Sequence, residues 1–146
     1  MAYRKMREVE QAMLNWVKDG VRSKSDIDLI EDIGKFIADA KEDNRGGYRS
    51  GFNAVTTSQI RIAYGEITRL KMKFDDTSLM MLRPKLAYAA ARANDKGGTY
   101  ASLSEIIKLG VNAVSAMEQH QKQKAFNNLA SVFEAILAYH KAYGGK

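Results

Sequence analysis

The stretch Thr56–Arg92, TTSQIRIAYGEITRLKMKFDDTSLMMLRPKLAYAAAR, decides the fold. Ile60, Ala63, Tyr64, Ile67, Leu70 and Phe74 recur at steps of three and four residues, and at about 100° per residue such steps return to one face of a helix. Thr56 and Gln59 open this helix as a capping box: the threonine hydroxyl can accept from the Gln59 backbone N–H while the glutamine amide reaches back. Asp75-Asp76-Thr77-Ser78 breaks the pattern and offers caps for a further helix from Leu79 to about Ala93, with Leu79, Leu82, Leu86, Ala89, Ala90 and Ala93 on its core face. Pro84 removes one backbone donor inside that run, so a kink or a restart is expected there. The alanines at 87, 89, 90, 91 and 93 allow close approach of another helix.

The same reading extends in both directions. Met6 to Lys18 carries Met6, Val9, Met13, Leu14, Trp16 and Val17 near one side and stops at Gly20. Ser25 or Asp26 caps a second helix with Ile27, Ile30, Ile33, Phe36, Ile37 and Ala40 at helical spacing. Gly46, Gly47 and Gly51 interrupt the pattern, so residues 44–55 are expected to form a mobile loop. Asn94 to Gly98 is a second break, followed by Ser102-x-x-Glu105, a second capping-box pattern, for a helix to about Gln119. A last helix from about Gln121 to Tyr143 places Phe126, Leu129, Val132, Phe133, Ile136, Leu137 and Tyr139 along its length and ends at Gly144-Gly145. The expected fold is all-α: one domain over residues 1–146, a compact bundle of about five to six helices.

Composition agrees. One proline in 146 residues favours helix, and the length suits a single core that buries about two thirds of the unfolded surface. The absence of cysteine excludes disulfides and thiolate metal sites. The charged start is followed by Glu8 and Glu10 instead of an apolar run, and no long uncharged apolar segment occurs, so the expectation is a cytoplasmic protein with no membrane association.

Charge is unevenly placed. Residues 44–96 hold ten Lys or Arg against four acids, a net +6, whereas residues 1–43 sum to −2 and residues 97–146 to +2. A concentrated positive field attracts phosphate-bearing partners, and a nucleic acid is the first to consider; a solvated basic surface is the plain alternative.

Catalytic and metal motifs fail individually. Neither His120 nor His140 has a glutamate three residues before it, so di-iron ligation is not supported, and both histidines read as surface or boundary residues. Gly46 to Gly51 has the glycine spacing of a phosphate-binding loop, but Phe52 and Asn53 stand where Lys and Ser or Thr are needed. Asp75-Asp76 reads as capping and not as acid–base machinery. No nucleophile and base pair emerges, so neither enzymatic activity nor a metal or other cofactor is expected.

The basic residues support a sharper reading. Arg61, Arg69 and Lys73 fall on the flanks and back of the apolar stripe, and Lys85, Tyr88 and Arg92, spaced i, i+3, i+7, line one face of the following helix. Cations with a tyrosine between them suit an RNA backbone and an unstacked base or ribose. Arg45, Tyr48 and Arg49 add the same chemistry on the glycine-rich segment.

Two linked stretches, TTSQIRIAYGEITRLK at Thr56–Lys71 and LMMLRPKLAYAAAR at Leu79–Arg92, resemble the small subunit of type III-A CRISPR-Cas effector complexes. The span that holds both motifs, Thr56–Arg92, covers about a quarter of the chain. The resemblance implies a helical, non-catalytic protein present in several copies, stacked on one another and on the large subunit, facing the backbone subunits, with its basic surface along the duplex of guide and target RNA. On that reading Arg61, Arg69, Lys85 and Arg92 contact RNA, and Arg83 joins them from the edge of the apolar stripe. Lys73, Arg45 and Arg49 are added on charge and exposure. Ala91, where relatives carry glycine, is a small departure. Met72, Met80, Met81 and Tyr88 are candidates for self-association. A helical protein–protein adaptor whose basic face meets an acidic partner and never touches RNA is the alternative from another class.

Overall fold

The computed structural model describes residues 2–92 and 99–145. Among these residues, six α-helices run in the order α1 (Met6–Asp19), α2 (Lys24–Ile37), α3 (Thr57–Met72), α4 (Asp76–Arg92), α5 (Thr99–Ser115) and α6 (Lys122–Ala142). A small antiparallel hairpin, β1 (Ala40–Glu42) and β2 (Tyr48–Ser50), lies between α2 and α3, and a single 3₁₀ turn at Gln119–Gln121 leads into α6. The bundle expected from the sequence is present.

Helices α5 and α6 form the centre. α6 packs against α1, α2, α3 and α5, whereas α5 packs against α1, α2, α4 and α6. Trp16 and Met13 of α1, Ile30 and Ile33 of α2, Ile67 of α3, Leu79 and Leu82 of α4, Leu103 and Ile106 of α5, and Phe126 and Phe133 of α6 are fully buried together. Each is a residue of the three-and-four pattern, so apolar periodicity and burial coincide. α2 and α6 approach closely at Gly34, where an added Cβ would meet the Tyr139 Cβ at 2.5 Å and the His140 backbone nitrogen at 2.9 Å.

Several local features follow the chemistry of the sequence. Gly20 ends α1 at φ +82°. The Thr56 hydroxyl accepts from the Gln59 N–H at 3.1 Å, and the Gln59 side chain accepts from the Thr56 N–H at 2.8 Å, closing the capping box of α3. The Asp75 carboxylate takes the Ser78 N–H at 2.8 Å and the Ser78 hydroxyl at 2.7 Å. These bonds, led by that of the Ser78 backbone, hold its pKa below the ordinary aspartate value, as befits a cap.

Other expectations require correction. The segment 44–55 is not all loop: Tyr48–Ser50 pairs with Ala40–Glu42 in the register Ala40↔Ser50, Lys41↔Arg49 and Glu42↔Tyr48. The glycines that break helical periodicity here make a reverse turn, in which the Asp43 carboxylate accepts the N–H groups of Arg45 and Gly47, both at 2.9 Å. α2 starts two residues earlier than expected, because Ser23, not Ser25 or Asp26, forms the cap. α4 starts at Asp76 and runs unbroken through Pro84; the carbonyl of Met80, which loses its donor, lies on an exposed turn. α5 begins at Thr99, so Ser102 is a buried helical residue and not a cap. Ile27 and Leu14 are exposed, and Tyr64 lies at the boundary of the buried stripe. The expected break at Asn94–Gly98, with Ala93, lies outside the described residues.

His140 is the largest departure. It is buried, with Nε2 2.7 Å from the Val55 carbonyl, where the neutral ring donates. Burial pushes its pKa down; the bond to Val55 opposes the shift and the Lys141 charge adds to it.

Candidate nucleic-acid interface

α3 and α4 lie side by side at the edge of the bundle, and a cleft of about 470 Å³ opens between them, lined by Ile62, Ala63, Glu66, Lys85, Tyr88 and Arg92 among others. A second depression of about 300 Å³ adjoins it through Glu66 and Lys85 and adds Arg69 and Lys73. The helical spacing of Lys85, Tyr88 and Arg92 therefore has its expected consequence: they share the flank of α4 that faces α3.

Glu66 organises the cations. Its carboxylate accepts from Arg69 one turn along α3 at 3.3 Å and from Lys85 across the cleft at 3.2 Å. Arg92 donates to the Tyr88 hydroxyl at 3.3 Å, its guanidinium carbon 5.7 Å from the ring centroid. Tyr88 and Ile62 are both 64% exposed on facing helices, so the cleft has apolar walls and a cationic rim. Such a cleft can hold phosphates at its edge and an aromatic or apolar group within.

The nine expected residues do not form one surface. Arg69, Lys73, Lys85, Tyr88 and Arg92 line the two joined depressions. Arg61 is exposed but lies about 80° around α3 from Arg69, on the back of the helix and out of the cleft. Arg83 is half-buried on the other flank of α4, beside Met80, Pro84, Ala87 and Lys108. Arg45 and Arg49 belong to the hairpin, which is seated against the end of α6: the Tyr48 and Tyr143 rings are 4.7 Å apart, and Lys35 lies 5.5 Å from each. The Tyr143 hydroxyl donates to Glu31 at 2.7 Å, which with burial pushes its pKa up to about 12.

Glu66 and Ile62 were missed in the sequence. Glu66 sits four residues before Leu70 on the flank of the stripe, so its placement could be read from the helical wheel. Its partner Lys85 could not, because 19 residues and a helix turn separate them.

Fold and cleft together define a small all-helical protein that presents ordered cations and an exposed tyrosine between adjacent helices. No helix among the described residues is long and apolar enough to cross a membrane. The chain belongs to the Csm2 Type III-A family, whose family model matches residues 31–146, all of α3 to α6 with the hairpin and the later part of α2. The family is that of the structural small subunit of type III-A CRISPR-Cas effector complexes, which works beside the other subunits of the complex. No match was found among curated proteins or solved structures.

Proposed function

We propose that this small subunit is non-catalytic and binds guide and target RNA without sequence specificity, in the cytoplasm, as part of the assembled complex. The observation that carries the reading is the convergence of Arg69 and Lys85 from different helices on one carboxylate, beside Arg92 stacked on Tyr88. Two cations arranged to share one anion are arranged to share a phosphate oxygen. Phosphate contacts give affinity without sequence information, which suits a subunit that must accept any guide. Exposed Met72, Met80 and Met81 supply apolar contact area toward further copies, the backbone subunit or the large subunit.

The test is target RNA binding by the reconstituted complex carrying Arg69→Glu, Lys85→Glu and Arg92→Glu together. Binding should weaken strongly, and single neutralisations should each lower the log–log salt slope by about one. Unchanged binding by the assembled triple variant would end this reading. The adaptor alternative draws on the same Glu66, since it already neutralises part of the cationic rim; it requires the triple variant to lose subunit assembly while RNA binding by the remaining complex is unaltered.

A further inference from the structure

Phe52 is 100% exposed, although the chain on both sides of it is pinned. The Gly51 N–H donates to the Asp39 carbonyl at 2.9 Å, and the Asn53 N–H donates to the Asp39 carboxylate at 3.0 Å. The Thr99 hydroxyl donates to the Asn53 carbonyl, and the Val55 N–H donates to the Ile37 carbonyl at 2.8 Å. Asp39 holds this arrangement at φ +46°, a left-handed conformation disfavoured for a residue with a Cβ. Residue 51 must be glycine for the turn to close, because a Cβ there would meet the Asp39 carbonyl oxygen at 2.8 Å and run into its carboxylate. A phenyl ring in full contact with water is thus projected by a backbone fixed from several directions.

Two arginines of the hairpin lie shortly before it in the chain. Arg49 and Arg45 precede Phe52 by three and seven residues, both are exposed, and neither side chain has an ion pair among the described residues. Two of the hairpin's acids are engaged: Asp39 with Lys41 at 3.5 Å and with the Asn53 N–H, and Asp43 with the N–H groups of its turn. Glu42 remains. Arg69 and Lys85, by contrast, already share Glu66.

We propose that Phe52 is a stacking platform for an unstacked RNA base, with Arg45 and Arg49 on the flanking phosphates. The proposal rests on the RNA-binding reading above but on a separate element. A phenyl ring has no polar atom with which to read a base edge, so it accepts any base, and two exposed guanidiniums without an ion pair among the described residues favour a polyanion over an apolar protein pocket.

The experiment compares Phe52→Ala, Phe52→Trp and Phe52→Leu in the reconstituted complex, with target RNA affinity measured over a range of salt and subunit incorporation checked by mass. The fold should be unaffected, since Phe52 is fully exposed and packs on nothing among the described residues. Phe52→Ala should weaken binding by about 5- to 150-fold with an unchanged salt slope, the range for losing one base stack. Phe52→Trp should retain affinity, and Phe52→Leu, apolar but without a π face, should be as weak as alanine. Full binding by Phe52→Leu, or loss of subunit incorporation by Phe52→Ala, would overturn the proposal in favour of an apolar anchor to a neighbouring subunit. If the triple α3–α4 variant loses RNA and Phe52→Ala does not, the platform alone is wrong; if both bind normally, the RNA-binding reading is wrong as well.

Discussion

Lys85 on α4 reaches the Glu66 carboxylate on α3 at 3.2 Å, across the cleft that separates the two helices. Arg69 shares the same carboxylate, and the side chains of Arg69 and Lys85 are 75% and 51% exposed. Exposed pairs of this kind contribute little to stability, at most about 1 kcal/mol, so their consequence lies in what else the cations bind. Glu66→Gln should leave the unfolding free energy almost unchanged and raise RNA affinity of the assembled complex by a factor of about 2 to 5, the weight of one exposed pair. Weaker RNA binding by Glu66→Gln would instead make Glu66 a group that orients the cations.

His140 makes stability depend on pH. Its pKa is lowered in the folded state, chiefly by burial, so the unfolded chain takes up the proton first as pH falls. Stability from this group is therefore complete well above the ordinary value of 6.5 and is lost as pH drops below it, by up to about 1.4 kcal/mol per pH unit until the folded state also protonates. Urea unfolding between about pH 5 and 8 should reveal this slope, and His140→Gln, which keeps a donor for Val55, should flatten it. An equal slope in both proteins would assign the dependence to other groups.

Two helical glycines should respond to alanine with opposite sign. Gly34 faces the α6 backbone, and its new Cβ would meet the Tyr139 Cβ at 2.5 Å and the His140 nitrogen at 2.9 Å. Separation of α2 from α6 should outweigh the helix propensity gained, for a net loss of about 1–3 kcal/mol. Gly65 on α3 has nothing within 4 Å of the added methyl, and Gly65→Ala should stabilise by about 0.5–1 kcal/mol. Thermal unfolding of both variants checks the pair.

Thr56→Ala removes the hydroxyl that accepts from the Gln59 N–H at 3.1 Å. A loss of about 1 kcal/mol is expected, because a cap lost at an exposed helix start leaves one donor to water. Thr56→Ser should recover most of it, and chemical denaturation of the two variants separates the cap from the lost methyl group.

The helices were legible because their information is local. Ile60, Ala63, Ile67 and Leu70 share a face by geometry alone, and the Thr56–Gln59 box joins neighbours three residues apart. The spacing of Lys85, Tyr88 and Arg92 likewise needed only the pitch of one helix. The sequence by itself thus determined a predominantly helical chain, the Thr56 cap of α3 and most residues of each apolar stripe. Tertiary structure alone decided which stripes met and what was enclosed between them. Lys85 found Glu66 across a helix turn, His140 met Val55 from 85 residues away, and Gly46 and Gly47 became a hairpin turn once Tyr48 could rest on Tyr143. These pairings depend on how rigid helices pack about Phe126 and Phe133, and a packing arrangement is a property of the whole core that no single period along the chain contains.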